Sequence, residues 1–245
     1  MTVGYLEGQK EKLAHYINKN QYKNALSIAK EILDLNKDES KSYHMIGKIY
    51  SLLEDHQKAI HNYLKAIELN PRCNLNYNSI SQSFSALGEN EKGISYLKKA
   101  LNIVGNDPLT YFNIGLIFDN IENFDQAAVN FHKAIQLKPY FPDALNNLGN
   151  IYFILGNLNG ALQNYENAIR FKEDFADAYN NKGNVLRKFN KKKDAIESYQ
   201  KAIKFNKNHF QAYYNLGVAL KEQKKYELAI KNYEKAKKLK PDYLE

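Results

Sequence analysis

The chain has 245 residues, of which 44% are hydrophobic, and a formal net charge of +8. With only 12 Gly and 5 Pro it is neither collagen-like nor loop-rich, and its single cysteine, Cys73, excludes an internal disulfide. No segment is both apolar and long enough to act as a signal peptide or to span a membrane, which predicts a soluble, cytoplasmic protein without a membrane partner.

The positive charge is concentrated in the last part of the sequence. Residues 1–175 contain 18 Lys and Arg against 19 Asp and Glu, whereas residues 176–245 contain 17 against 8. A basic segment is typical of a site for nucleic acid or an acidic partner, or of a solvated helix face in a lysine-rich chain. Lysine is frequent along the whole chain, so the sequence favours the solvated face over a nucleic-acid partner.

An internal repeat of 34 residues runs without insertion from Leu6 to Tyr243. Positions within a repeat are counted from its first residue, and the eighth and twentieth positions are small in almost every repeat. The long register predicts a single repeat domain over residues 1–245. Its seven repeats are 6–39, 40–73, 74–107, 108–141, 142–175, 176–209 and 210–243.

Each repeat has the pattern of two amphipathic helices joined by a turn. In repeat 142–175, apolar residues recur at three- and four-residue spacing before and after the turn. Gly149 and Ala161 are small enough to let the two helices approach closely, and Tyr165 fills the wider gap beside them. This pattern predicts an all-α fold.

The residues that end the helices stand at fixed positions. Four turns hold Gly or Asn, which adopt the left-handed conformation most easily. Three second helices are followed by proline, which cannot continue a helix. The turn residues are Asn20, Gly88, Gly156 and Asn190, and the prolines are Pro71, Pro139 and Pro241.

In their length and their order of large, small, aromatic and proline positions, these repeats resemble the tetratricopeptide repeat. The resemblance covers nearly the whole chain and implies a right-handed superhelical solenoid of seven helix-turn-helix repeats, with the first helices on the concave face. The first repeat departs most, with Lys12 and Leu13 where the others place an aliphatic and a small residue. Lys182 also replaces an aliphatic residue, and we expect its stem to pack while its ammonium group extends outward.

Asparagine is a mediocre helix former, yet the first helices carry many of them. In the geometry of the family, the fifth, sixth and ninth positions line the inner groove. The sixth position is Asn113, Asn147, Asn181 and Asn215 in four consecutive repeats, and Asn146, Asn150, Asn180 and Asn184 lie beside them. A carboxamide offers a donor and an acceptor, as does each residue of an extended peptide.

The sequence therefore predicts a protein-interaction scaffold that binds an extended peptide segment of a partner. Apolar neighbours expected in the groove favour binding, because exposed aromatic surface usually has a partner. They are Phe112, Leu116, Phe153, Tyr214 and Val218, of which we expect Phe112 and Tyr214 to contribute most. The alternative is structural, since asparagine at the sixth position can also form hydrogen bonds between neighbouring repeats.

The stretches "YFPDALNNLGNIY" and "DFADAYNNKGNVL" resemble the repeat region of O-linked N-acetylglucosamine transferases, which holds extended protein substrates. The resemblance implies a second possibility, a substrate-recognition region of a larger glycosyltransferase whose catalytic domain is outside this chain. Other members of the family bind chaperone C-termini through a clamp of Lys, Asn and Arg, and this pattern does not occur in the present sequence. Lys10 is paired with Ala14, His44 with Lys48, and no sixth position holds Arg.

Catalytic signatures do not appear in the sequence. The six histidines occupy unrelated positions, Cys73 has no histidine partner, and no phosphate-binding loop or nucleophile elbow is found. We therefore expect no enzymatic activity, metal or cofactor. No further amphipathic helix follows the seventh repeat, and the final Leu-Glu is typical of an expression-vector junction. These ends suggest an excised domain or end-to-end self-association.

Overall fold

The computed structural model describes residues 3–35 and 39–243. Across these two ranges it contains fourteen α-helices, one 3-10 helix at Pro241–Tyr243 and no strand, which confirms the predicted all-α fold. The final Leu-Glu pair lies outside the described residues.

Each predicted repeat supplies two helices. In chain order the helices are α1 (Val3–Asn18), α2 (Tyr22–Leu35), α3 (Ser40–Leu52), α4 (His56–Leu69), α5 (Asn74–Ala86), α6 (Asn90–Val104), α7 (Pro108–Asn120), α8 (Phe124–Leu137), α9 (Pro142–Ile154), α10 (Leu158–Phe171), α11 (Ala176–Lys188), α12 (Lys192–Phe205), α13 (Phe210–Glu222) and α14 (Tyr226–Leu239).

The chain divides into two compact units, Met1–Ile121 and Glu122–Glu245. The N-terminal unit contains α1 to α7 and the C-terminal unit contains α8 to α14. The fourth repeat, 108–141, supplies one helix to each unit. The two units are described separately below.

The fifteenth position of every repeat has a positive φ, between 56° and 79°. This confirms the left-handed turns predicted at Asn20, Gly88, Gly156 and Asn190. The other three turns use Glu54, Glu122 and Lys224. At these residues the left-handed conformation costs roughly 1–2 kcal/mol because Cβ crowds the following carbonyl oxygen. The helices α4, α8 and α14 end two residues before Pro71, Pro139 and Pro241, as predicted.

Within a repeat, the glycine at the eighth position packs against the tyrosine at position 24. A Cβ atom added to Gly183 would lie 2.5 Å from Cε1 of Tyr199, so no larger side chain fits without movement. The rings of Tyr165 and Tyr199 are almost completely buried. The same contact forms at Gly47 with Tyr63, Gly149 with Tyr165, and Gly217 with Tyr233.

The first repeat reverses the sizes of this pair. Leu13 occupies the eighth position and Ala29 occupies position 24, and both are buried in one apolar cluster. A large side chain on the first helix and a small one on the second fill the space between α1 and α2 in the opposite way. The exchange keeps the total volume similar, which is the kind of core change that proteins tolerate best. This explains the departure at Leu13.

We expect Gly183→Ala to destabilise the protein. The added methyl group must displace the buried Tyr199 ring, at a cost of about 1–3 kcal/mol for overpacking a filled core. Urea unfolding followed by far-UV circular dichroism measures the change.

The matched control is Gly8→Ala in α1, where an added Cβ meets nothing within 4 Å. Here we expect no loss, or a gain of up to about 1 kcal/mol from the better helix former. Equal effects of the two substitutions would contradict the close approach of Gly183 to Tyr199.

Candidate functional site

Asparagine side chains join the first helices of neighbouring repeats. In each case Nδ2 at the sixth position of one repeat donates to Oδ1 at the fifth position of the repeat before it, 35 residues earlier. The three bonds run from Asn113 to Asn78 (2.8 Å) in the N-terminal unit, and from Asn181 to Asn146 (3.1 Å) and Asn215 to Asn180 (2.9 Å) in the C-terminal unit.

In the C-terminal unit these bonds form a continuous chain across α9, α11 and α13. Asn181 also donates to Oδ1 of Asn150 at 3.0 Å, and Nδ2 of Asn180 donates to Oδ1 of Asn181 at 3.2 Å. Asn146 and Asn180 are buried, with 7% and 6% of their surface exposed. Their hydrogen bonds are therefore part of the packing between repeats, as the structural alternative proposed.

Asn147 behaves differently. Its Nδ2 donates to the main-chain oxygen of Asp143 in its own helix, at 2.9 Å. The residue 35 positions earlier is Phe112, which offers no carboxamide acceptor. Asn147 and Asn215 are half-buried, and each uses one of its two N–H groups in the described hydrogen bonds. In the described part of the chain no donor reaches either Oδ1, so both side chains retain a donor and an acceptor.

Asparagines at the ninth position accept from the core tyrosines. Tyr165 Oη donates to Asn150 Oδ1 at 2.8 Å, and Tyr199 Oη donates to Asn184 Oδ1 at 2.9 Å. Burial raises the pKa of Tyr199 to about 12 and also raises the pKa of Tyr165. Asn150 therefore satisfies the buried Tyr165 hydroxyl, and Asn184 shares the Tyr199 hydroxyl with the side chain of Arg187.

The apolar residues expected on this face are half-buried. The Tyr214 ring centroid lies 5.6 Å from that of Tyr233, its neighbour across the seventh repeat. Leu116 and Asn113 line a pocket of about 210 Å³ on α5 and α7, together with Gln82. Phe153 packs partly against the core around Tyr165.

Some residues of this region were missed at the sequence level. Asn78 accepts from Asn113, and the signal for it is its fifth position, which it shares with Asn146 and Asn180. The sequence predicts no role for His209, but in the structure it caps α13, because its Nδ1 accepts from the main-chain N–H of Ala212 at 3.3 Å.

Charged groups on these helices form three further contacts. His209 Nε2 lies 3.1 Å from Asp177 Oδ1, and this hydrogen bond lowers the pKa of Asp177. Arg187 pairs with Glu222 at 3.0 Å, which connects α11 to α13. Lys182 Nζ reaches Glu166 at 2.8 Å with its stem partly covered, in agreement with the expected packing.

The described ranges contain no group of three or more His, Cys, Asp or Glu side chains placed to hold a metal ion. Cys73 is a half-buried residue immediately before α5. None of the helices described is long and apolar enough to cross a lipid bilayer.

Sequence comparison decides the family. Models of the tetratricopeptide repeat match residues 40–73, 76–103, 109–141, 131–163 and 210–243, and a model described as TPR repeat matches residues 149–188 and 183–224. The chain belongs to the tetratricopeptide repeat family. Tetratricopeptide repeats are protein-interaction scaffolds that are generally not catalytic. The comparison with curated proteins found no match.

Solved tetratricopeptide structures share the fold at low sequence identity. A chain of the APC/C hetero-tetramer Cut9-Hcn1 is 19% identical with a TM-score of 0.77, and the match covers 95% of this chain and 46% of that one. The present chain thus spans less than half of that relative. Pseudomonas aeruginosa pilF is 17% identical with a TM-score of 0.73, over 84% and 93% of the two chains. YrrB, a TPR protein with an unusual peptide-binding site, is 24% identical with a TM-score of 0.58, over 74% and 94%.

Asn181→Ala is expected to destabilise the C-terminal unit by about 1–3 kcal/mol, because it leaves buried polar atoms of Asn146 and Asn180 without their partners. Asn147→Ala removes only a bond within its own helix, so its effect should stay within about 0.5 kcal/mol. Urea unfolding of both variants measures the difference. Similar losses of unfolding free energy in the two variants would show that the hydrogen bonds between repeats do not stabilise the protein more than the bond within the helix.

The raised pKa of Tyr199 predicts a loss of stability at alkaline pH. A folded-state pKa of about 12, against the ordinary value of 10.0 for the solvent-exposed group in the unfolded chain, favours the neutral hydroxyl in the folded protein. This contribution is complete below pH 10 and is lost as the pH rises toward 12, with a size of about 3 kcal/mol. Tyr199→Phe should therefore show a smaller decrease in unfolding free energy between pH 9 and pH 11 than wild type. Equal decreases would contradict the assignment.

Proposed function

We propose that, within each of its two units, the chain presents the fifth, sixth and ninth positions of its first helices to an extended peptide segment of a partner protein. The observation that carries this proposal is the state of Asn147 and Asn215. Both are half-buried, both are held by one hydrogen bond, and both retain a donor and an acceptor.

A peptide main chain presents one N–H and one C=O per residue, and a carboxamide can pair with both. Side chains already held in position lose less conformational freedom when they bind, which favours affinity. The chain of bonds through Asn146, Asn181 and Asn180 supplies this support in the C-terminal unit. Recognition of main chain predicts a site that depends little on the side chains of the peptide.

The predicted residues divide between two roles. Asn147 and Asn215 contact the peptide directly, and Asn181 adds an acceptor through the second lone pair of its Oδ1. Phe112 and Tyr214 supply apolar contact area on α7 and α13. The remaining residues join neighbouring repeats or accept from core tyrosines, and they are Asn113, Asn146, Asn150, Asn180 and Asn184.

The test begins with a random peptide library displayed on phage and selected on the immobilised protein. The tightest peptide is synthesised, and its Kd is measured by fluorescence anisotropy. For Asn147→Ala with Asn215→Ala we expect affinity to fall about tenfold or more, from two lost hydrogen bonds of about 1 kcal/mol each.

The matched control is Asn164→Ala with Asn232→Ala. These asparagines lie on the second helices α10 and α14 and donate to main-chain oxygens four residues earlier, as Asn147 does. The control should bind like wild type. N-methylation of the peptide main chain should abolish binding, whereas most single side-chain changes should not. Wild-type affinity in the Asn147 and Asn215 variant would overturn the proposal.

A further inference from the structure

A pocket of about 390 Å³ lies in the N-terminal unit, on helices α3, α4 and α5. Its opening carries Lys48 and Gln82, which are exposed, and its walls include His44, His56 and Ser79. It occupies the same face of the first helices as the asparagine bonds, but asparagine is absent from its lining.

The difference begins at the buried hydroxyl of Tyr63. In the C-terminal unit the equivalent tyrosines donate to asparagine at the ninth position. The second repeat has Lys48 at that position, and an ammonium group cannot accept a hydrogen bond. Tyr63 Oη lies instead 3.5 Å from Ser51 Oγ, which in turn lies 3.1 Å from Ser83 Oγ. The hydroxyl groups thus satisfy one another, and Lys48 is left facing the pocket.

Two histidines line the same space. Nδ1 of His56 is buried and has no hydrogen-bond partner among the residues described. His44 donates from Nδ1 to Oδ1 of Asn76 at 2.8 Å, and Asn76 is held in turn by Ser40 at 3.3 Å. This chain fixes the His44 ring and leaves its Nε2 for the pocket, where a proton would turn it into another donor.

No carboxylate lines the pocket among the described residues. The carboxylate next to His56 in sequence, Asp55, is paired with Lys58 at the start of α4. Burial and the neighbouring charge of Lys48 lower the pKa of His44, while its hydrogen bond to Asn76 acts in the opposite direction. The other groups around His44 are Tyr63 and His56 on α4 and neutral side chains on α5. The pocket therefore holds the positive charge of Lys48 with no carboxylate among the described lining residues to offset it.

We propose that this pocket binds an oxyanion, either a carboxylate or a phosphoryl group. Lys48 supplies the charge, and His56, Ser79 and Gln82 supply further hydrogen bonds. A group of this kind would arrive as a side chain of the bound peptide, and only this delivery rests on the proposed function. The site deepens that function by requiring an acidic or phosphorylated residue in a peptide bound along the first helices of the N-terminal unit itself.

The site is tested with free anions, acetate and inorganic phosphate, each titrated at constant ionic strength into protein with isotope-labelled histidine. The ring signals of His44 and His56 are followed by NMR. We expect them to shift with saturation, and the pKa of His44 to rise because the anion offsets Lys48 and the effect of burial. The anion that binds more tightly identifies the source, acetate for Asp or Glu and phosphate for a phosphorylated residue.

Lys48→Met keeps the length of the side chain and removes its charge. It should weaken the binding of the tighter anion about tenfold, the size expected for one charge-assisted hydrogen bond. Lys48→Arg should restore most of the affinity. Lys48 is exposed, so these variants are expected to fold, which their circular dichroism spectra verify.

The matched control is Lys30→Met, an exposed lysine on α2 outside the pocket, which should bind like wild type. The absence of saturable shifts, or equal affinity in the Lys48→Met variant, would overturn the oxyanion site. Because the probes are not peptides, this result is independent of the library experiment. Anion binding without peptide binding would support the oxyanion site and overturn the proposed function. Peptide binding without anion binding would support the proposed function and overturn the oxyanion site.

Discussion

In the second, fifth, sixth and seventh repeats, the close contact between a glycine on the first helix and a tyrosine on the second is the constraint on which the rest of the repeat depends. The ring fills the space between the helices, but its hydroxyl group must find a partner at the edge of the core. Where the ninth position is asparagine, as at Asn150 and Asn184, a carboxamide accepts from it. Where the ninth position is Lys48, the tyrosine hydroxyl group pairs with a serine instead. The way the core satisfies one hydroxyl therefore sets the chemistry of the face that we propose as the peptide site.

The same face connects the repeats to one another. Carboxamides that bridge α9, α11 and α13 contribute to packing, and this commitment limits how many hydrogen bonds they can offer to a ligand. Structural and binding roles are thus divided among the asparagines. Buried Asn146 and Asn180 hold the network, whereas half-buried Asn147 and Asn215 retain unused donors and acceptors. A long row of identical residues in a sequence does not imply identical roles.

Much of the fold could be predicted from the sequence because its determinants are local and periodic. Helices, turns at Gly88 and Gly156, and the proline stops follow from spacing and from backbone preferences that each residue carries with it. The pairing of carboxamides could not be predicted from the sequence, since it depends on the register between helices about 35 residues apart. For this reason Asn78 was missed, and Asn147 was grouped with residues whose bonds it does not share. The pocket at Lys48 could not be predicted either. It depends on the Tyr63 hydroxyl group on α4, which lies beside a serine because Lys48 on α3 cannot accept a hydrogen bond.

Duplication of a repeat would have different effects on the glycine–tyrosine contact and on the carboxamide hydrogen bond. The glycine and its tyrosine lie 16 residues apart within one repeat, so a copied 34-residue segment brings a complementary pair with it, even in the reversed form of Leu13 and Ala29. The carboxamide bond spans 35 residues and always belongs to two repeats. A single inserted copy therefore has a core of its own but only half of each bond to its neighbours. Lengthening such an array extends the fold at once, whereas the asparagine network grows only where adjacent copies keep matching residues.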